Sequence, residues 1–322
     1  MEHPLVSVCC IVYNHEKYLH DCLDGILMQK TSFDYEIIIH DDASTDSSAD
    51  IIRDYYAKYP SIIKPFFQSE NQFSQGVPIC ATFLYPRAKG KYIAICEGDD
   101  YWIDPNKLQK QVDFLELHYD YGFVGSYNNV LWPDGRIAFD PCEYLPKPVV
   151  ENGWELYGSV IDYAKFGPVT RTLTLCFRKS IIDPYMEFII GDLVLGTILA
   201  EVSNFAKLQD VTAIYRKNVG ISSIKHGFER RIAYNHWFVQ NRLMQKKLFP
   251  NDCDWDEDEL RDRETFLWFK HYIFQNDWKN AIESKKLLKS TKYKKKKSSR
   301  MVNGPISCCI LCVIYRIKGN LL

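Results

Sequence analysis

Apolar residues in the first third of the chain fall into short, nearly continuous runs, separated by stretches in which they recur at helical spacing. Leu5 to Tyr13, Tyr35 to His40 and Lys91 to Cys96 are strand-length runs of mostly apolar residues, the pattern of parallel strands covered on both faces. Between the first two, Tyr18, Leu19, Cys22, Leu23, Ile26 and Leu27 mark a helix, with Asn14 placed as its cap. After the second, Ile51, Ile52, Tyr55, Tyr56 and Tyr59 mark another. This order predicts a right-handed βαβ unit. Ile62 to Phe67 reads as a third strand, and Pro65 assigns it to an edge, because proline cannot donate to a ladder. A helix over 79–85 precedes the strand ending at Cys96. Each strand brings its C-terminal end to one rim, where open parallel sheets bind ligands.

The middle of the chain mixes the two periods. Leu108, Val112 and Leu115 mark a helix opened by Asp104 and Pro105, and Gly122 to Leu131 reads as a strand. Trp132 to Arg136 is a turn with Asp-Gly at its tip, followed by a short return strand. Residues 140–165 read as irregular structure, in which Trp154 and Tyr157 either stack on a sugar or anchor the loop. Thr170 to Arg178 alternates like a half-buried strand, Asp192 opens an apolar helix, and Leu208 to Tyr215 is the last strand expected. Past residue 225 the stretches 229–248, 257–275 and 278–288 are helical and rich in aromatics. The expected class is α/β, a mostly parallel sheet flanked by helices over 1–224, with a helical extension over 225–300 and an apolar tail over 301–322.

Composition narrows the classes of function. With 46% hydrophobic and 25% charged residues the chain is that of a folded protein. Its net charge of -1 hides a basic run from Lys285 to Arg300 that contains no acid. Behind it, Ile306 to Tyr315 is too short to span a bilayer. This tail either lies in an anionic membrane interface with its lysines on headgroups or packs as a terminal helix. Nucleic acid is not expected as a partner, since no groove of interleaved aromatics accompanies the lysines. The 11 cysteines are odd in number and irregular in spacing, and Cys9, Cys10 and Cys96 fall inside strands, which suits a reducing compartment. Cys309 and Cys312 form a CxxC without the second pair that zinc needs. No secretory signal is read at the start, so the cytosol, with attachment to the inner face of the membrane as an option, is the expected location.

The candidate chemistry lies in Cys96-Glu97-Gly98-Asp99-Asp100-Tyr101-Trp102, where carboxylates crowd the end of a buried strand. Such crowding costs repulsion unless a cation or paired donor neutralises it, and a hard divalent ion bridging to phosphate oxygens does so. The second predicted strand ends likewise in Asp41-Asp42-Ala43-Ser44-Thr45-Asp46.

These segments, taken with Val6 to Asn14 and in this order, resemble the signatures of family 2 glycosyltransferases, which have the Rossmann-like GT-A fold. The resemblance extends over about residues 4–220. It implies transfer of a sugar, with inversion, from a nucleotide-sugar donor, UDP-linked by preference, to a hydroxyl of a glycan or lipid-linked acceptor. It places Tyr13 on the base, Asp42 as its acceptor partner with Asp41 beside it, and Mn²⁺ or Mg²⁺ on Asp100 with help from Asp99. Asp192 matches the catalytic base, and the irregular region with Trp154 and Arg171 falls on the acceptor side. The chain departs from the family in carrying Ile11-Val12 where Pro-Thr is usual. Alternatives read from the residues stand beside these roles: Tyr13 as a core aromatic, Asp192 as a helix cap, Arg216 and Lys217 reaching the diphosphate or merely solvated. A sugar nucleotidyltransferase needs a glycine-rich phosphate loop after the first strand, and no glycine follows Tyr13 before Gly25. A non-catalytic tethering subunit is the other reading.

Overall fold

The structure, a computed structural model, describes residues 3–140, 145–160, 169–219, 227–250, 256–274 and 277–287. They form two compact units that divide between Ile224 and Lys225.

The first unit is built on one mixed sheet. Strands β1 (Val6–Val12), β2 (Tyr35–Asp41), β3 (Ile63–Phe67) and β4 (Tyr92–Ile95) lie parallel in the order β3-β2-β1-β4. Helices α1 (Leu19–Leu27) and α2 (Ser48–Lys58) complete the crossovers. Val8, Cys9, Cys10 and Val12 of β1 are all fully buried, so both faces of the strand are covered and its nearly continuous apolar run is explained. Pro65 does sit on the edge strand. The stretch before β4 is a π-helical turn, Cys80–Leu84, continued by a 3₁₀ turn, Tyr85–Arg87.

β5 (Tyr101–Trp102), α3 (Lys107–Leu117), β6 (Tyr121–Leu131) and β7 (Ile137–Asp140) follow. The helix begins later than Asp104 and Pro105 suggest: Asp104 instead accepts the Asn106 N–H at 2.9 Å and pairs with Lys110 at 2.8 Å. The region expected to be irregular holds a hairpin, β8 (Val149–Glu151) and β9 (Trp154–Gly158). Its two-residue turn is Asn152-Gly153, both at positive φ, the pair that a type I′ turn demands. Thr170 to Arg178 is not one strand. A 3₁₀ turn over Thr172–Thr174 leaves only β10 (Cys176–Arg178), which runs antiparallel between β4 and β6. The short helix α4 (Lys179–Ile182), α5 (Asp192–Val202) and β11 (Asn204–Arg216) complete the unit. β11 is parallel to β6, and its far end pairs with β5, so the last strand returns to the acidic segment.

The second unit contains α6 (Gly227–Leu248), α7 (Glu257–Phe274) and α8 (Trp278–Leu287). His236 of α6 meets Glu264 of α7 at 2.5 Å, and Val239, Phe266 and Ala281 are buried. No helix among the described residues is long and apolar enough to cross a membrane. The basic run past Leu287 and the apolar tail, including Cys309 and Cys312, lie outside the described residues. Cys9, Cys10, Cys22, Cys96 and Cys176 are free and buried.

Candidate active site

The C-terminal ends of β1, β2 and β4 deliver three loops to one rim. The first two are locked together by reciprocal hydrogen bonds. Asn14 is at φ 58° and does not cap α1. Its Oδ1 accepts the Thr45 N–H at 2.7 Å, and its own N–H donates to Ser44 Oγ at 2.9 Å. Glu16 and Asp46 complete the clasp. Asp46 accepts the Glu16 N–H at 3.0 Å, while Glu16 accepts that of Ser47 at 2.9 Å. Burial works against the Asp46 carboxylate, but bonds from Ser48 and Glu16 override it and hold the pKa below the usual value. Tyr13 emerges half-buried between β1 and this clasp.

Asp42 is turned inward. It is 1% exposed, and its two oxygens accept the backbone N–H groups of Gln72 at 2.8 Å and Phe73 at 3.0 Å. The carboxylate expected to face a base thus organises the segment after β3. Asp41 accepts from Ser44 at 3.2 Å through one oxygen, while the other is buried without a hydrogen-bond partner. Burial raises its pKa.

The third loop is the acidic turn. Gly98 is required there by space: a Cβ would lie 2.7 Å from His15 Nδ1 and 3.0 Å from Val12 Cγ2. Stripped of a side chain, the turn folds down on the end of β1, and His15 Nε2 stands 4.0 Å from Asp99. His15 feels Asp99, Asp46 and Asp41 together, yet burial dominates and lowers its pKa. Sequence reasoning missed His15, which no motif marks. Burial, then Asp99 and Asp192, push the Glu97 carboxyl up to about 8, and Oε2 of Glu97 is buried without a hydrogen-bond partner. Asp100, 3% exposed, is raised by burial and by Glu97 and Asp99.

Asp192 comes to the same place from a distant segment. It is the first residue of α5, and its Oδ1 accepts the Leu193 N–H at 2.8 Å. The residue is exposed, and loss of solvation raises its pKa against the opposing bond from Leu193. Asp192 therefore sits in the first turn of its helix, where Gly191 is the N-cap, and stands within electrostatic reach of Glu97. Arg171 lies nearby on the rim, paired with Asp140 at 2.9 Å and stacked 4.8 Å from the Tyr215 ring, which itself feels Asp100.

Two further side chains named from the sequence are packed against protein. Trp154 is 9% exposed, and its indole stacks on Phe114 of α3 with centroids 4.2 Å apart. It anchors the β8–β9 hairpin in the core. Arg216 is buried rather than solvated. Its guanidinium is committed to the acidic turn and to Asp21 of α1.

Among the described residues no three His, Cys, Asp or Glu side chains form a self-sufficient metal site. The residues present nevertheless fit a divalent cation that draws its remaining ligands from phosphate and water. Glu97, Asp99 and Asp100 are hard oxygen donors whose mutual repulsion Arg216 offsets only in part, with one Glu97 oxygen orphaned.

The family model described as glycosyl transferase family 2 matches residues 7–182, which include every strand from β1 to β10. The chain belongs to glycosyl transferase family 2. Among curated family relatives, an uncharacterized Mycobacterium tuberculosis protein is 41% identical over 132 residues, 40% of this chain and 37% of that protein. The chain thus matches well under half of that relative's length. The fold is that of GT-A glycosyltransferases. Staphylococcus aureus TarS, crystallised with UDP-GlcNAc, superposes with a TM-score of 0.59 at 15% identity, over 97% of this chain and 91% of that one. A Pyrobaculum calidifontis mannosyltransferase in complex with GDP-Man and Mn²⁺ superposes at 0.52 with 13% identity, covering 98% and 88%.

Proposed function

We propose that the protein is an inverting, metal-dependent glycosyltransferase that moves a sugar from a nucleotide-sugar donor, UDP-linked by preference, to a hydroxyl of a glycan or lipid-linked acceptor. The observation that carries this reading is the convergence of Asp41, His15, Asp99, Glu97 and Asp192 on one rim, from segments as far apart as β1 and α5. Family membership and the nucleotide sugars held by TarS and the mannosyltransferase support the same class of donor.

In this reading Tyr13 faces the base, and Asp42 shapes the pocket by holding Gln72 and Phe73 in place. Asp100 and Asp99 would hold Mn²⁺ or Mg²⁺, which supplies charge neutralisation for a departing diphosphate. Asp192 accepts the proton of the acceptor hydroxyl as that oxygen attacks the anomeric carbon from the face opposite the leaving group. Its raised pKa strengthens it as a base, and its bond to Leu193 fixes its direction. Arg171, at the rim, is an acceptor-side contact. The experiment is a donor panel with purified protein, reading nucleotide release with and without EDTA. Turnover with one activated sugar that EDTA abolishes supports the reading. A protein without turnover on any donor is a tethering subunit.

A further inference from the structure

Arg216 ends the last strand of the sheet, yet it is among the buried charges of the first unit, at 7% exposure. Four features of its surroundings are unusual for a cation at a strand end. Its backbone N–H donates to Oδ1 of Asp100 at 2.8 Å, across 116 residues of sequence. Nη1 donates to the main-chain carbonyl of Asp99 at 2.9 Å. Nη2 pairs with Asp21 on the first turn of α1. The guanidinium carbon lies over two rings, 4.4 Å from the centroid of Tyr101 and 5.0 Å from that of Tyr18.

Burying a guanidinium is favourable only where its hydrogen bonds are met and its charge is matched, and here the matching charge is the acidic turn. The turn carries Glu97, Asp99 and Asp100 on consecutive or alternate positions, so its backbone resists compaction unless something holds it. The Arg216 side chain holds it by the carbonyl of Asp99, and the Arg216 main-chain N–H, which any non-proline residue supplies, holds the carboxylate of Asp100. Lysine would keep the main-chain bond to Asp100 but lose part of the rest, because a point ammonium lacks the planar fork that reaches the Asp99 carbonyl and Asp21 together.

We infer that Arg216 is a positioning residue. It fixes the acidic turn in the geometry that binds a divalent cation and diphosphate, and it ties that geometry to α1 and to the end of β11. This rests on the assignment of Asp99 and Asp100 to the cation in the proposed function. Residues that orient metal ligands are worth 10- to 100-fold in metal affinity, and Arg216 belongs to that class in this account.

The test is a Mn²⁺ titration of the full chain followed by electron paramagnetic resonance in the presence of UDP, with thermal unfolding measured alongside. Arg216→Met is expected to weaken Mn²⁺ binding by about 10- to 100-fold, with Arg216→Lys recovering only part of it. Asp21→Asn is expected to weaken it in the same direction and by less. A residue that served stability alone would lower the unfolding temperature and leave half-saturation unmoved. Wild-type affinity in folded Arg216→Met overturns the inference while the glycosyltransferase reading stands. Should Arg216→Met not fold, Asp21→Asn, altered on the half-exposed side of the pair, decides by the same criterion. A wild-type protein that binds no Mn²⁺ with UDP overturns both.

Discussion

Gly98 and His15 are fitted so closely that a single methyl group at position 98 would stand 2.7 Å from the imidazole Nδ1. The contact brings the acidic turn onto the end of β1, and so sets the distance between the two loops that frame the site. Gly98→Ala forces the imidazole, Val12 or the turn itself to move. Overpacking of this kind costs about 1–3 kcal/mol, which lowers the unfolding temperature by several degrees. Because the displaced element is the turn, metal-dependent donor binding should weaken as well, measured by calorimetry with UDP and Mn²⁺. Normal binding in a destabilised variant would separate the contact from the site.

Asp192→Asn preserves the oxygen that accepts from Leu193 and removes only the basicity. Turnover should fall by about 10²- to 10⁴-fold while nucleotide binding and unfolding temperature stay at wild-type values. A variant with unchanged kcat would make Asp192 a first-turn helix residue and nothing more.

Glu97 predicts a pH dependence of the metal-free protein. Its folded pKa of about 8 lies above the model-compound value of 4.5. Between those values the folded state holds a proton that the unfolded state has lost, so stability falls as pH rises through this window. The Glu97→Gln variant should show a flatter decline in unfolding temperature between pH 5 and about 8. The sign reverses for Asp46, whose pKa is lowered on folding by its bonds to Ser48 and Glu16 against the opposing effect of burial. Its contribution is present above pH ~4 and is lost as pH drops through the folded value.

Trp154→Ala removes an indole stacked on Phe114. A loss of about 3–5 kcal/mol in stability is expected, with KM for acceptor unchanged under conditions where the variant remains folded. A rise in acceptor KM without loss of stability would return Trp154 to the acceptor side.

These four cases mark how far the sequence could be read. Runs such as Leu5 to Tyr13 translate directly into buried parallel strands, because both faces of β1 are covered and its one polar residue, Ser7, is buried with its hydroxyl bonded to Glu36. Pro65 reported its edge position for an equally local reason. The β8–β9 hairpin was also marked, by Asn152-Gly153 between β-prone residues, but the prolines and glycines around it read as irregular chain. Alternation over Thr170 to Arg178 misled because Thr170 and Thr174 bond to each other at 2.8 Å across a 3₁₀ turn, which no periodicity reports. The site divides in the same way. The acidic turn and Asp192 were visible as carboxylates at element ends. The inward rotation of Asp42, the commitment of Arg216 and the place of His15 depend on partners about 30 to 195 residues distant, and only the folded chain supplies those.

The most direct test of the account is a crystal of the protein grown with UDP and Mn²⁺, with anomalous scattering recorded at the manganese edge. The account predicts one strong peak bridging the diphosphate to the carboxylates of Asp100 and Asp99, with Asp192 facing the same cavity. A diphosphate bound away from the acidic turn, or a manganese peak that touches neither aspartate, would contradict it.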